Sequence, residues 1–228
     1  MSKQKLIVLT GAGISAESGI KTFRDSNGLW ENHNIEDVAT LEAFICNPSL
    51  VLKFYNERRA NMYNARPNSA HLALVSLEQK YAVHIITQNV DDLHERAGSK
   101  SILHLHGELT KCRSVKNNNI TYFCNKDIKL GDIAPDGGQL RPHIVWFGEA
   151  VPAMENAITL AKQADILLII GTSLQVYPAA SLLHYVSEEC KIIIIDPHIS
   201  KLNIKRKNIT IISATATQGM QQLLHDYL

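Results

Sequence analysis

Short apolar runs separated by helix-like stretches are the feature that most constrains this chain. The first run, residues 6–9, leads directly into Thr10-Gly11-Ala12-Gly13, as a buried parallel strand does when it enters a glycine-rich turn. Similar runs follow at residues 82–86, 102–105, 144–147, 166–170, 192–195 and 209–212. Since stretches with helical spacing separate several of these runs, the pattern predicts an α/β fold with a doubly wound parallel sheet.

Two stretches break this alternation and predict a second, smaller lobe. Helices are expected at residues 68–77, 153–164, 178–186 and 218–228. Residues 36–67 are mainly helical in pattern and contain no strand-like run, whereas residues 109–140 are polar and carry Cys112 and Cys124. We therefore expect residues 1–35, 68–108 and 141–228 to form the domain of the parallel sheet. The insertions at 36–67 and 109–140 then form the small lobe.

The charge balance and the cysteine content exclude several classes of protein. The chain has 228 residues with 23 basic and 22 acidic side chains, so its net charge of +1 gives no basic excess for sequence-independent nucleic-acid binding. Its four cysteines are too few for a disulfide-stapled secreted fold. The apolar runs are far shorter than the roughly 20 residues that span a bilayer, and the first residues lack a signal-peptide pattern. We expect a cytoplasmic protein that binds neither nucleic acid nor a membrane.

The glycine-rich turn after the first strand indicates phosphate binding, but only weakly. The loose pattern G-x-G-x-x-G/A is matched by Gly11, Ala12, Gly13, Ile14, Ser15 and Ala16. Glycines there let the backbone approach a pyrophosphate, although a tight turn without any ligand needs the same residues. Glu31 has the spacing of a dehydrogenase's ribose ligand. Because residues 22–31 have a loop pattern and not that of a second strand, we do not expect this role for Glu31.

Further motifs follow the glycine-rich turn in a fixed order. They are TFR at 22–24, TQNVD at 87–91, LHGEL at 105–109, PHIVWFGE at 142–149 and GTSLQVYPAA at 171–180. Together they resemble the motifs of the sirtuins, NAD-dependent protein-lysine deacylases, and the resemblance extends from Leu6 to the C-terminus. It implies a Rossmann-like NAD-binding domain and an acylated-lysine protein or peptide as substrate. In the implied reaction the acyl oxygen attacks C1′ of the nicotinamide ribose, nicotinamide leaves, and the acyl group ends on ADP-ribose.

This reaction needs a base that works near neutral pH, which suits histidine. Of the ten histidines, His106 matches the catalytic position of the family. His104 lies two residues earlier on the same predicted strand, so on geometry alone it remains a rival. Asn89 and Asp91 match the positions that grip the nicotinamide amide and order a water molecule.

The resemblance also implies the residues that hold NAD. Phe23 matches the aromatic side chain that shields C1′, and Asp196 stands where many sirtuins carry the Glu of an Asn-x-Glu motif. Ala216 is the best match for the adenine-side alanine, with Ala214 as the alternative. The full set of expected NAD-binding residues is Gly11, Ala12, Gly13, Ile14, Ser15, Ala16, Thr22, Phe23, Arg24, Trp30, Gln88, Asn89, Val90, Asp91, Gly171, Thr172, Ser173, Asp196 and Ala216.

Two residues of the helical insertion predict which acyl group is removed. Tyr55 and Arg58 are three residues apart, so on a helix they share a face and can bind a carboxylate. Sirtuins that remove succinyl and malonyl groups carry such a pair with an upstream alanine, which Ala39 matches. The alternative is a solvated arginine on an exposed helix, with Tyr55 packed in the lobe. The substrate peptide is expected to pair with the segment that contains Val145, Phe147, Gly148 and Glu149.

The chain departs from the family at its metal site. Most sirtuins hold a structural zinc with two cysteine pairs, but the insertion at 109–140 contains only Cys112 and Cys124. Four ligands are needed, and Asp127, Asp132 and Asp136 are the nearby candidates for the others. We expect a degenerate, zinc-ribbon-like insertion without zinc, and no other metal site.

Two other functions use the same motifs. An NAD-dependent mono-ADP-ribosyltransferase and a non-enzymatic sensor of NAD or ADP-ribose both remain alternatives to deacylation. A hydride-transferring oxidoreductase is less favoured, because the acidic partner of the glycine-rich turn is missing.

Overall fold

The computed structural model describes residues 3–22, 30, 32–198 and 207–226. In chain order its strands are β1 Lys5–Thr10, β2 Ala82–Thr87, β3 Ile102–His104, β4 Gly107–Ser114, β5 Thr121–Phe123, β6 Leu140–Ile144, β7 Ile166–Ile170, β8 Lys191–Ile195 and β9 Ile209–Ile212. The helices are α1 Gly13–Ala16, α2 Ile35–Val38, α3 Leu41–Cys46, α4 Pro48–Asn64, α5 Ser69–Leu77, α6 Leu93–Ala97, α7 Met154–Ala161 and α8 Ala216–Asp226. A 3₁₀ helix spans Ala179–His184.

Six strands form one parallel sheet in the order β3-β2-β1-β7-β8-β9. The chain builds outward from β1 in one direction and then, from β7, in the other. This reversal creates a crevice at the carboxyl ends of β1 and β7, where doubly wound sheets bind their ligands. The α/β sheet predicted from the apolar runs is confirmed.

Each face of this sheet packs against its own hydrophobic cluster. Ile7 and Leu9 point into the cluster with α7 and the 3₁₀ helix, while Leu6 and Val8 point into the cluster with α5 and α8. All four side chains are fully buried. Both faces are therefore covered, which explains why the strands are continuous apolar runs without polar alternation.

The capping residues explain where two of the longer helices begin. Asn47 accepts a hydrogen bond from Leu50 N–H at the start of α4, and Pro48 occupies the first turn. Asn68 caps α5 and forms a capping box with His71. The helix α4 then packs on the second sheet through a cluster that includes Tyr55 and Trp146.

The second sheet is antiparallel, in the order β5-β4-β6. It runs from Gly107 to Ile144 and is thus slightly wider than the insertion expected at 109–140; the division of the chain into lobes stays a prediction. The prediction of a strand at residues 144–147 is wrong, because β6 ends at Ile144. The polypeptide there turns at Gly148, whose φ of 85° favours glycine.

The helix expected at 178–186 is a 3₁₀ helix, which follows Pro178. Its backbone N–H groups bond mainly three residues back, as in Ser181 N–H to Pro178 O and Tyr185 N–H to Leu182 O. Within the described residues, no helix combines the length and apolar composition needed to cross a membrane.

Candidate active site

A cavity of about 540 Å³ lies along the carboxyl ends of the parallel strands and extends to α4 and to the segment after β6. Its volume is typical of a small-molecule site. It brings together most of the predicted site residues: Gly11, Ala12, Gly13, Ser15, Ala16, Thr22, Trp30, Ala39, Tyr55, Arg58, Gln88, Asn89, Val90, Asp91, His106, Val145, Phe147, Gly148, Glu149, Gly171, Thr172, Ser173, Asp196 and Ala216.

One predicted residue is described but does not line the cavity, and two others are not described. The side chain of Ile14 is fully buried in the hydrophobic core and does not line the cavity. Its position in the motif therefore serves packing between α1 and the sheet. Phe23 and Arg24 lie outside the described residues.

The glycines of the first turn are required by the close approach of the turn after β7. Gly11 N–H donates to Ile170 O at 3.0 Å, and Gly13 N–H donates to Gly171 O at 2.9 Å. A Cβ atom on Gly13 would lie 2.6 Å from Gly171 Cα. The two turns thus form a surface of backbone atoms without side chains, so a ligand can contact the peptide groups directly.

His106 has the geometry of a general base. Its Nδ1 lies 3.1 Å from the carbonyl oxygen of Gln88. A carbonyl oxygen only accepts hydrogen bonds, so Nδ1 carries the proton and Nε2 is left as the acceptor. Burial lowers the pKa of His106, and the hydrogen bond to Gln88 partly opposes this effect. The imidazole is therefore neutral at pH 7 and able to take a proton.

His104, the rival of His106, does not line the cavity. The strand β3 ends at His104, so the two histidines do not share one strand face as the spacing suggested. Both ring nitrogens of His104 have partners, the Asn89 carbonyl oxygen at 3.0 Å and Glu95 Oε1 at 2.8 Å. This side chain has no nitrogen left to act as a base.

Asn89, Ser15 and Asp91 form a buried hydrogen-bond chain at the end of β2. Asn89 Nδ2 donates to Ser15 Oγ at 3.2 Å, and Ser15 Oγ donates to Asp91 Oδ2 at 3.0 Å. Burial raises the pKa of Asp91, while hydrogen bonds from Leu93 N–H and from Ser15 lower it. An amide and a carboxylate held together in this way supply the donors and acceptors that a carboxamide ligand needs.

Tyr55 and Arg58 both lie inside the cavity wall, with exposed fractions of only 1% and 8%. The alternative of a solvated arginine on an exposed helix is therefore wrong. The Arg58 guanidinium carbon lies 4.2 Å from the centre of the Trp30 ring, a cation–π contact. Burial raises the pKa of Tyr55, although the charge of Arg58 opposes this rise. The Trp146 side chain, which lies beside Tyr55 in the same cluster, opposes this rise as well.

The segment after β6 is held in place by a buried ion-pair network. Glu149 accepts from Arg141 Nη1 at 2.7 Å, from Arg113 Nη2 at 3.3 Å and from Trp146 N–H at 2.8 Å. Burial alone would raise the pKa of Glu149, but the hydrogen bond from Arg141 and these other partners lower it overall. Since both carboxylate oxygens have protein partners, Glu149 shapes this segment.

The same segment also meets the rest of the cavity through its backbone. Phe147 N–H donates to Ala39 O at 2.9 Å and Val145 N–H donates to His106 O at 2.9 Å. The Phe147 side chain is 47% exposed at the mouth of the cavity. This edge therefore borders the same cavity as His106 and as the wall that carries Tyr55 and Arg58.

At the opposite end of the cavity, Asp196 follows β8 and Ala216 begins α8. Ala216 lines the cavity, whereas its rival Ala214 does not. One carboxylate oxygen of Asp196 accepts from His198 N–H at 2.8 Å. Ile194 is fully buried in the sheet, so it offers nothing to a ligand.

Sequence reasoning missed several residues of the cavity wall. Glu17 ties the first turn to α8, because its carboxylate accepts from Thr217 N–H at 2.9 Å and from Thr215 Oγ1 at 3.1 Å. Asn61 and Met62 continue the α4 wall beyond Arg58. The helical spacing from Arg58 to Asn61 and Met62 was a signal that could have found them, whereas the contact of Glu17 with α8 has no signal in the sequence.

Cys112 lies on β4 and Cys124 directly follows β5 of the antiparallel sheet, and both are buried free thiols. A hydrogen bond from Cys112 lowers the pKa of Cys124, and burial opposes it. In the parts of the chain that the structure describes, no group of three or more His, Cys, Asp or Glu side chains surrounds a possible metal position. Of the candidate carboxylates, Asp136 accepts from Ser114 and Gly138, and Asp132 accepts from Lys129 N–H. These residues do not fit a tetrahedral zinc.

Comparison with known proteins gives a consistent result. A profile of the Sir2 family matches residues 11–178. An NAD-dependent protein deacylase of Helicobacter pylori is 56% identical over 221 residues, which cover 97% of this chain and 96% of that protein. A Bacteroides thetaiotaomicron protein of the same name is 49% identical over 226 residues, covering 96% of each.

Solved structures agree with this match. A Sir2 homologue in complex with NAD has a TM-score of 0.86 at 39% identity, covering 97% of this chain and 88% of its own. A Sir2 bound to an acetylated peptide has a TM-score of 0.80 at 30% identity, covering 98% and 93% respectively. Since the profile covers most of the chain and the relatives match nearly its full length, the chain belongs to the Sir2 family, the sirtuins.

Proposed function

We propose that this protein removes acyl groups from protein lysines with NAD as co-substrate, releasing nicotinamide and O-acyl-ADP-ribose. One observation carries the proposal: His106 presents an unprotonated Nε2 in the same cavity as the Asn89–Ser15–Asp91 chain. His106 can accept a proton from a ribose hydroxyl, and the Asn89–Ser15–Asp91 chain can bind the nicotinamide carboxamide. The names of the deacylase relatives and the NAD-bound and peptide-bound Sir2 structures support it.

The cavity fits NAD on grounds of its own geometry. The backbone surface at Gly11, Gly13 and Gly171 suits the pyrophosphate, because no side chain separates the ligand from the peptide groups. Asp196 and Ala216 lie at the adenosine end, and Gln88 and Thr172 lie between the two ends, joined by a hydrogen bond of 3.1 Å. When bound, NAD supplies the electrophilic C1′ carbon and the nicotinamide leaving group.

In this proposal, the protein's own residues transfer a proton and hold the groups of the site in position. Gln88 O fixes the tautomer of His106, so the base is ready before the substrate arrives. Ser15 and Leu93 N–H hold Asp91 in one orientation, and Asn89 is held by Ser15. Trp146, Trp30 and Met62 form an apolar wall that excludes water from this region.

The acyl group is proposed to be succinyl or malonyl, with acetyl as a second substrate. Ala39 leaves space next to the buried Tyr55 and Arg58. A carboxylate on the acyl chain would accept from both Tyr55 and Arg58.

Three further predictions belong to this proposal. The substrate peptide is expected to pair as an added strand along residues 145–149. The small lobe is expected to be stable without zinc, because Cys112 and Cys124 lack further ligands among the described residues. A cytoplasmic location, without nucleic-acid or membrane partners, is expected from the sequence composition.

Mass spectrometry of an acylated peptide incubated with NAD tests the proposal. We expect loss of the acyl mass from the peptide and a matching O-acyl-ADP-ribose product. A gain of one ADP-ribose mass on a protein or peptide would show an ADP-ribosyltransferase instead. No release of nicotinamide with acetyl, malonyl or succinyl peptides would favour a binding sensor.

A further inference from the structure

His104 makes two short hydrogen bonds that connect the catalytic region to α6. Its Nδ1 lies 3.0 Å from the Asn89 carbonyl oxygen, and its Nε2 lies 2.8 Å from Glu95 Oε1. A carbonyl oxygen and an ionised carboxylate only accept hydrogen bonds, so both ring nitrogens must donate. An imidazole that donates from both nitrogens carries a positive charge. A cationic histidine therefore lies directly behind Asn89.

We propose that the His104–Glu95 pair positions the catalytic site: the His104 imidazolium holds the Asn89 carbonyl and places a positive charge behind the Asp91 carboxylate. This inference rests on the deacylase function proposed above. His104 lies outside the cavity, so it is a positioning residue and acts through Asn89 and Asp91.

The backbone of Asn89 shows why such an anchor matters. The strand β2 ends at Thr87, so the following peptide groups lie beyond the ladder of the sheet. Asn89 N–H donates to Thr87 Oγ1 at 3.0 Å, and His104 holds its carbonyl oxygen. With both ends fixed, the Asn89 side chain remains aimed at Ser15. Loss of the carbonyl anchor frees the peptide group to rotate and moves the Asn89 amide.

The charged groups around His104 favour its cationic form. Glu95 and His94 face it from α6, Glu108 from β4, and Asp91 from the segment after β2. Burial opposes the charge, but the hydrogen bond and charge of Glu95, with the charge of Glu108, raise the pKa of His104 overall. His94 adds no charge, because burial lowers its pKa to about 3.

The effect on Asp91 is electrostatic. Burial raises the pKa of Asp91, and the charge of His104 lowers it alongside the hydrogen bonds from Leu93 and Ser15. Burial is the largest of these effects, so the pKa of Asp91 is raised overall, and the cation limits this rise. The His104 side chain is only 9% exposed, so its charge is weakly screened by solvent ions and its loss alters the electrostatics of the site.

The variant Glu95→Gln tests the pair without disturbing the core, because the Glu95 side chain is 41% exposed. We expect the pKa of His104, followed by NMR of its imidazole, to fall below that of the wild type. We expect kcat to fall about tenfold, the lower end for loss of a charged hydrogen bond, with KM for the acyl peptide changed less than about twofold. The alkaline limb of the kcat profile, where His104 loses its proton, should move to lower pH.

Two further variants separate positioning from a loss of structure. His104→Gln keeps a donor for Asn89 but has no titratable charge, so we expect reduced kcat and no His104-dependent alkaline limb. Glu108→Gln removes an acidic neighbour that makes no hydrogen bond to His104. It should lower the pKa of His104 less than Glu95→Gln does and leave kcat within about twofold.

The proposal is wrong if Glu95→Gln leaves the pKa of His104 unchanged, or if its kcat and alkaline limb match those of the wild type. A rise in KM alone would also contradict it. Failure of the wild type to release nicotinamide with any acyl peptide refutes the proposed function instead. In that case the NMR titration still tests the His104–Glu95 pair by itself.

Discussion

Replacing Arg58 with methionine should remove the proposed preference for acidic acyl groups and spare deacetylation. Arg58 is 8% exposed and stacks on Trp30, so its charge acts in a region with little water. A charge-assisted hydrogen bond contributes roughly 1.5–3 kcal/mol. At about 1.4 kcal/mol per factor of ten, this corresponds to a loss of about 10- to 150-fold in kcat/KM for a succinyl-lysine peptide. Methionine conserves length and apolar packing, so the wall of the cavity stays filled.

The assay compares kcat/KM for succinyl-, malonyl- and acetyl-lysine forms of one peptide, with nicotinamide release as the readout. Lys53→Met is the matched control, because Lys53 lies on the same helix with a side chain that is 74% exposed. The control should behave as the wild type with every peptide. If Arg58→Met reduces desuccinylation no more than deacetylation, Arg58 does not bind the acyl carboxylate and the reasoning from the buried pair is refuted.

Three other predictions concern stability and metal content. Glu149→Gln leaves two buried arginines without their carboxylate, so urea denaturation should show a loss of about 3 kcal/mol in the free energy of unfolding. The control Glu57→Gln, in an exposed pair with an N–O distance of 3.9 Å, should cost less than about 0.5 kcal/mol. Equal losses in the two variants would contradict the role of Glu149. Burial lowers the pKa of His71 to about 4 and of His94 to about 3. As the pH is lowered from 6.5, these histidines therefore become protonated in the unfolded chain before they do so in the folded protein. The free energy of unfolding should decrease as the pH is lowered from 6.5 to 4, by up to about 1.4 kcal/mol per pH unit and histidine. A free energy that does not change over this range would argue against buried neutral histidines. Elemental analysis of the purified protein should find no stoichiometric zinc, and one zinc per chain would overturn that expectation.

Much of the parallel sheet could be predicted because both of its faces are buried. The strands at residues 166–170 and 192–195 are uninterrupted apolar runs, and a run of this kind has few other stable places in a protein. The run at 144–147 has the same appearance, yet the chain leaves β6 at Ile144 and turns at Gly148. Glu149 determines that turn by accepting from Arg113 and Arg141, and this contact depends on the register between β4 and β6.

The choice of the candidate catalytic histidine was limited in the same way. The spacing of His104 and His106 places both on one face of a strand only if the strand continues, and β3 ends at His104. Which imidazole faces the cavity is decided by partners from distant segments, Gln88 for His106 and Glu95 for His104. The residue types of the site were thus predictable from motifs, whereas the division of roles between neighbouring residues required the three-dimensional contacts.

The central claim is that His106 acts as the base in an NAD-consuming deacylation. The most direct measurement is the stoichiometry of nicotinamide, deacylated peptide and O-acyl-ADP-ribose for the wild type and for His106→Ala at pH 7.5. We predict equal amounts of the three products from the wild type and a loss of about 100-fold or more in the variant. Because burial lowers the pKa of His106, wild-type activity should persist below pH 6.5 and fall at more acidic pH. Wild-type rates in His106→Ala, or nicotinamide released without deacylated peptide, would contradict the account.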